Sequence, residues 1–325
     1  MQSIDVDSYP EFLTTALTLL FKHRDGASPR GRDTLELMDV SFRIRYPSRR
    51  HPNSSGRNAN VFALVAETLW VLGGRNDLSF IEAYLPRMRE FSDDGVTVGG
   101  GYGPRIRSWK SVDQLSSILT TLSNDYFSRR AIVSLFDPEV DHDQTRRDIP
   151  CNSILQFTVR DNTLNLAVTS RSMDIIWGSA INVFEWTTLQ EMVAFWLQLP
   201  IGTYVHHVGS LHIYDDFYGR GERIIKSEPP KNKGAIDFDI PFDKFDQSLK
   251  VFFDVESRFR SGDLFHKVAI SHSLWLYEVV ELTRAYWLAK FRRYPEARQV
   301  LADMRSTENV AMAFSQVASM EKHYG

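Results

Sequence analysis

Two β-prone runs, residues 154–159 and 164–169, are joined only by Arg160-Asp161-Asn162-Thr163, and no other stretch restricts the fold so sharply. Asp and Asn suit a tight connection between strands, so the pair reads as a hairpin. Further β-prone runs stand at 131–136 and 204–214. Residues 184–199, with Trp186, Met192, Phe195 and Trp196, read as a long and nearly all-apolar helix. Helical spacing of apolar side chains predicts an opening amphipathic helix over 9–23. Residues 35–46 alternate as a strand between basic loops, and 60–72 form a buried helix ended by Gly73-Gly74. A glycine-dense loop at 99–103 and a helix at 112–123 follow. Residues 218–246 look least core-like and read as a surface excursion, after which amphipathic helices at 266–292 and 296–322 close the chain. Central strands with helices before and after predict one α+β domain over 1–325, without internal repeats.

Composition matters where it excludes partners. A formal net charge of −3 argues against a chain built to coat nucleic acid. No uncharged apolar run approaches the ~20 residues of a membrane helix, and the first residues do not read as a signal peptide. The expectation is a soluble cytoplasmic protein without membrane or nucleic-acid partners. The single cysteine makes no internal disulfide.

That cysteine, Cys151, is on its face a small buried hydrophobe, as lone cysteines usually are. Its setting points elsewhere. It follows Pro150 at the start of a β-prone run, with Arg146 and Arg147 just upstream, and cations favour the reactive thiolate. Arg171-Ser172 at a strand end offers a guanidinium and a hydroxyl suited to a phosphate, although an exposed arginine is the plainer reading. Arg129 and Arg130 are adjacent cations ahead of another strand. His212 and Tyr214, two apart on one strand, share a face, where they hold sugar hydroxyls or bond to each other.

Taken in order, these residues resemble the thymidylate synthase family. The match runs from Glu67 and Trp70 through Gly101-Tyr102-Gly103, Asp113-Gln114-Leu115 and Ser128-Arg129-Arg130. It continues with Pro150-Cys151, Gln156-Phe157, Arg171-Ser172 with Asp174, Gly178, Asn182, and Gly209 with His212-Ile213-Tyr214, covering about residues 30 to 217. The resemblance implies a large mixed sheet covered by helices that serves as a homodimer interface. It implies transfer of a one-carbon unit from 5,10-methylenetetrahydrofolate to C5 of a pyrimidine nucleoside monophosphate, with no metal. Cys151 would attack C6, Glu67 would be the acid and base acting through water, and Tyr102 would order the water that removes the C5 proton. Arg171, Ser172 and Arg30, or else Arg32, would hold the phosphate, and Arg129 and Arg130 would reach the neighbouring subunit's site. Asn182 would face the base, His212 and Tyr214 the ribose, and Asp174 with Gly178 the folate.

Four departures bear on the product. Asn152 stands where the family usually has histidine after the cysteine, and Ser170 replaces a glutamine before the arginine. Residues 85–91 offer Arg87, Met88 and Arg89 in place of tryptophans that cover the methylene intermediate. The final residues, from Glu321 on, lack the short apolar tail that closes the site. A more open wall and a missing lid admit water, so hydroxymethyl is expected over methyl. Asn152 near C4 of the base leans toward cytidylate (CMP or dCMP), whereas the amide of Asn182 suits uracil, leaving dUMP or UMP as the alternative.

Overall fold

The structure, a computed structural model, describes residues 2–23, 26–53, 56–57, 59–143, 145–227, 234–265 and 273–324; the side chain of Arg30 lies outside that description. Its strands are β1 (Gln2–Val6), β2 (Gly26–Ala27), β3 (Thr34–Ile44), β4 (Ile132–Ser134), β5 (Asn152–Arg160), β6 (Thr163–Asp174) and β7 (Ile201–Tyr214). The helices are α1 (Tyr9–His23), α2 (Val61–Leu72), α3 (Leu78–Ile81), α4 (Tyr102–Arg107), α5 (Gln114–Asn124), α6 (Pro138–Asp141), α7 (Gly178–Trp196), α8 (Tyr218–Ile225), α9 (Phe242–Arg260), α10 (Leu274–Lys290), α11 (Tyr294–Asp303) and α12 (Glu308–Tyr324). Among the described residues no helix is long and apolar enough to cross a membrane.

The chain divides into two compact units, residues 1–57 with 70–230, and residues 58–69 with 231–325. The first holds the whole sheet, ordered β1-β3-β7-β6-β5-β4 with β2 on β3. It is mixed: β1 runs parallel to β3 and β6 to β7, while the other pairs are antiparallel. The β5–β6 hairpin closes on Asp161 and Asn162, both left-handed (φ 49° and 56°), which suits the right-handed twist of the strands. Parallel β6 and β7 need a crossover, and α7 supplies it. Leu155, Phe157 and Val159 of β5 and Leu164, Leu166 and Val168 of β6 bury one face. On β3, Phe42 stacks on Phe12 of α1 with centroids 3.7 Å apart. Burying a ring of that size contributes about 1.5–3 kcal/mol. On the other face Ile132 and Ile154 stay exposed.

In the second unit α10 packs against α9, α11 and α12. Phe245, Phe252, Leu276, Leu282, Leu301 and Val317 are buried there. Inside it the Glu278 carboxylate accepts from Thr307 Oγ1 and Asn309 Nδ2, both at 2.9 Å.

Several boundaries differ from those read in the sequence. Residues 218–246 are not a surface excursion throughout: Gly221 and Ile224 of α8 are buried, as are Phe238 and Ile240, and α9 begins at Phe242. The acids around Phe238 and Ile240 hide that apolar pair from any averaged reading. Residues 228–233, and 266–272 of the expected closing helix, lie outside the described residues. The last expected helix is two, because Met304 is extended and the Thr307 hydroxyl accepts from the Val310 N–H to start α12. Helix α7 starts at Gly178, and the glycine-dense loop ends at Gly101, with Tyr102 already helical.

Candidate active site

Cys151 is the residue before β5, and a buried ion pair braces the segment leading to it. Arg105 of α4 grips Asp141 of α6 bidentately, with two contacts of 2.7 Å, and donates to the Leu135 carbonyl at 2.6 Å. Planar donors matched to a carboxylate give such a pair its geometry. The glycine loop is pressed against the same segment. Gly100 N–H donates to Asp148 at 3.1 Å, and a Cβ on Gly103 would stand 2.2 Å from the Arg75 carbonyl oxygen. Only glycine fits there.

Cys151 is half-buried, and its carbonyl accepts from the Arg171 N–H at 2.9 Å. The Arg171 guanidinium reaches back to the Pro150 and Ile149 carbonyls at 3.1 and 3.0 Å. Arg171 therefore fixes the thiol-bearing turn from the neighbouring strand. Next to the thiol, Asn152 is fully buried and gives Tyr102 two hydrogen bonds, from its backbone N–H at 3.2 Å and from Nδ2 at 2.7 Å. Burial first, then the negative charge of Cys151, pushes the Tyr102 hydroxyl well above its ordinary range.

At the C-terminal end of β6, three residues beyond Arg171, Asp174 stands opposite His212 of β7. Its Oδ1 accepts from the Ile176 N–H at 2.8 Å, holding the turn into α7, whose first residue is Gly178. Burial raises the Asp174 carboxyl, opposed by that N–H; burial lowers His212, opposed by Asp174. His212 and Tyr214 meet edge to face at 5.0 Å. Arg32 lies over the Tyr214 ring at 4.1 Å and pairs with Asp216 at 3.1 Å. Asn182 is buried one turn into α7, and Ser172 is half-buried on β6.

A family model described as Thymidylate synthase matches residues 11–255, well over half of the chain. The chain belongs to the thymidylate synthase family. It is 36% identical over 215 residues to a deoxyuridylate hydroxymethyltransferase of Bacillus phage SP01, across 62% of this chain and 56% of that protein. It is 34% identical over 204 residues to the protein of that name from Delftia phage PhiW-14, across 59% and 56%. A thymidylate synthase of Vesicomyosocius okutanii is 28% identical over 219 residues, across 63% and 82%. The chain thus spans about half the length of the phage relatives it matches.

Within this family frame, the first unit brings Cys151, Asn152, Tyr102, Arg171 and Ser172 to one end of β5 and β6. Asp174, Gly178, Asn182, His212 and Tyr214 gather where β6 and β7 meet α7. Glu67, half-buried on α2, belongs to the second unit. Arg30 has its backbone in a turn at Pro29–Gly31, its side chain being outside the description. Arg129 and Arg130 are exposed beside a recess lined by Asn124, Asp125, Phe127 and Ser128. Register sets them beside the far half of β5, roughly 20 Å along the strand from Cys151. The cations expected to favour the thiolate are placed otherwise: Arg146 faces Asp141 at 3.8 Å and Arg147 faces Asp93 at 3.9 Å. Arg171 is the cation whose hydrogen bonds reach the turn, through the Pro150 and Ile149 carbonyls.

Three residues at the site escaped the sequence reading. Arg57 is buried, its Nη2 donates to the Ile176 carbonyl at 2.5 Å, and Nε and Nη1 have no partner among the described residues. His206 is fully buried between Tyr204 and Ser170. Glu185, also fully buried, sits one turn beyond Asn182 in α7, a spacing that marks it in retrospect.

Proposed function

We propose that the chain transfers a one-carbon unit from 5,10-methylenetetrahydrofolate to C5 of deoxyuridylate and releases the 5-hydroxymethyl product. The observation that carries this reading is the clamped Cys151 turn, with Arg171 on one side and the Asn152–Tyr102 pair on the other. The thiolate adds to C6, and the electron pair displaced onto C5 makes that carbon a nucleophile. The folate supplies the carbon that C5 captures. Tyr102 and Glu67 handle the C5 proton through water, and departure of the amine leaves an exocyclic methylene on C5. Water adds to that carbon, the pair returns to the ring, and the C6–S bond breaks to free Cys151.

Two features support water over hydride as the final reagent. Residues 86–91 form a short 3-10 helix without a buried side chain, in which Arg87 faces Glu90 and Phe91 is exposed. The phage relatives carry the name deoxyuridylate hydroxymethyltransferase. That name, with the donor and acceptor of Asn182, favours uracil; the expected cytidylate finds no support among the relatives. Methylation is the second reading, favoured by the likeness to a thymidylate synthase. The orphaned donors of Arg57, within electrostatic reach of Asp174, fit a ligand as rich in acceptors as a folate.

We read the chain as one catalytic domain working as a homodimer. The distance from Cys151 to Arg129 and Arg130 and the exposed apolar Ile132 and Ile154 support this. Incubation with methylenetetrahydrofolate and each of dUMP, UMP, dCMP and CMP, followed by mass analysis, tests the whole reading. Hydroxymethylated dUMP with tetrahydrofolate is expected. A methyl product with dihydrofolate selects the second reading, and turnover of dCMP alone would overturn the choice of base.

A further inference from the structure

Gly99 and Gly100 form the tip of a turn that the Gly101 N–H closes on the Val98 carbonyl at 3.1 Å. The turn leads directly into α4, whose first residue is Tyr102. Its tip is pressed against the segment that carries the thiol. The Gly100 N–H donates to Asp148 Oδ2 at 3.1 Å. A Cβ on Gly99 would stand 2.3 Å from Arg146 Nη2, and one on Gly100 would stand 2.4 Å from Asp148 Oδ2. Neither glycine is left-handed, so what these two positions require is close approach.

The same two segments meet a second time. Asn152 donates to the Tyr102 hydroxyl through its backbone N–H at 3.2 Å and through Nδ2 at 2.7 Å. Residues 148 and 152 are thus tied to residues 100 and 102, and Ile149, Pro150 and Cys151 span the gap between the two ties. That span has little freedom of its own. Pro150 fixes one backbone dihedral, and the Arg171 guanidinium holds the carbonyls of Ile149 and Pro150 while its N–H holds that of Cys151. Where the thiol comes to rest is therefore decided by the anchors at the two ends.

We propose that Asp148 is a positioning residue for the nucleophile: by accepting from Gly100 it holds the turn that delivers Tyr102 to Asn152, and so fixes Cys151 between two anchors. Without this acceptor the turn keeps its own closing bond but loses one tie to the thiol-bearing segment. The contact between Tyr102 and Asn152 then has to hold that segment alone. Burial raises the Asp148 carboxyl, opposed by the Gly100 N–H, so an uncharged amide of the same size suits the place. The cations around it have other engagements, Arg105 with Asp141, Arg171 with the carbonyls of 149 and 150, and Arg146 facing Asp141 at 3.8 Å. The inference rests on Cys151 being the nucleophile, and on neither the base, the folate nor the product.

Amide hydrogen exchange followed by NMR in the full chain, without nucleotide or folate, tests it. In Asp148→Ala the Gly100 amide loses its acceptor, and the Asn152 amide at the other tie should exchange roughly tenfold faster than in wild type. Asp148→Asn retains an acceptor and should keep the Asn152 rate within about twofold of wild type. Turnover of dUMP should follow that amide: in Asp148→Ala kcat falls by roughly ten- to a hundredfold while KM moves by less than about twofold. Should Asp148→Ala not fold, Gly100→Ala takes its place, because the added methyl displaces the carboxylate, and it should speed the Asn152 amide in the same way. An unchanged Asn152 amide in the folded variant overturns the proposal. So does a raised KM with kcat unchanged, or an Asp148→Asn chain as impaired as Asp148→Ala. Failure of every nucleotide to react would sink the reading of function while leaving the exchange rates intact.

Discussion

Asn152 gives Tyr102 two donors at once, its backbone N–H at 3.2 Å and its side-chain amide at 2.7 Å. One phenol oxygen therefore anchors both the start of β5 and the side chain behind the thiol. Asparagine does not titrate, so this anchor is indifferent to pH where a histidine would not be.

Tyr102→Phe leaves both donors without an acceptor. Stability should drop by about 1–3 kcal/mol in urea denaturation, and turnover by roughly a hundredfold. A fully active variant would remove Tyr102 from the site.

Cys151→Ala should keep the urea midpoint of the wild type and lose turnover by ~1000-fold or more. Release of tritium from C5-labelled dUMP is the measurement, because it reports attack at C6 whatever the final product.

Folded His206 titrates at about 3, whereas an unfolded histidine takes its proton near 6.5. Between those values the unfolded chain binds a proton that the folded chain refuses. Stability contributed by this group is thus complete above about 6.5 and lost as pH falls toward about 3, at about 1.4 kcal/mol per unit. Urea midpoints over a pH series should show a shallower acid slope in His206→Gln than in wild type.

Arg105→Met leaves the buried Asp141 carboxylate with only the Asp137 N–H at 2.7 Å and the Arg146 contact at 3.8 Å, both partners of the lost pair being at most 1% exposed. The expected cost is about 3–5 kcal/mol, read as a lower urea midpoint. Replacing both partners by apolar residues should recover much of it.

Arg130→Ala and Cys151→Ala chains, each inactive alone, should complement when mixed and allowed to exchange subunits. Half the dimers are then hybrids, and each hybrid carries one complete site, giving about a quarter of wild-type activity. A mixture that stays inactive would place Arg130 in its own chain's site.

Much of this arrangement was legible in the sequence because it is local. The hairpin announced itself in Asp161 and Asn162, and both adopt the left-handed backbone such a turn needs. Cys151, Arg171, His212 and Tyr214 stood at strand ends recognisable by alternation. What escaped notice depends on contacts between distant residues. β1 is five residues interrupted by Asp5, and it becomes a strand because β3 lies beside it. Glu185 disappeared into the apolar average of α7. Arg146 and Arg147 are close to Cys151 along the chain, yet acids on other segments claim them.

Asn152 and Ser170 face each other across the β5–β6 ladder, each bonded to a different aromatic side chain behind the strands. Two positions at which the chain departs from the family pattern therefore share one packing environment. A histidine at 152 alone would bring a bulkier ring into a site whose opposite wall is set by Ser170. A histidine at 152 and a glutamine at 170 should therefore be tried as a pair, because each side chain sets the space left to the other.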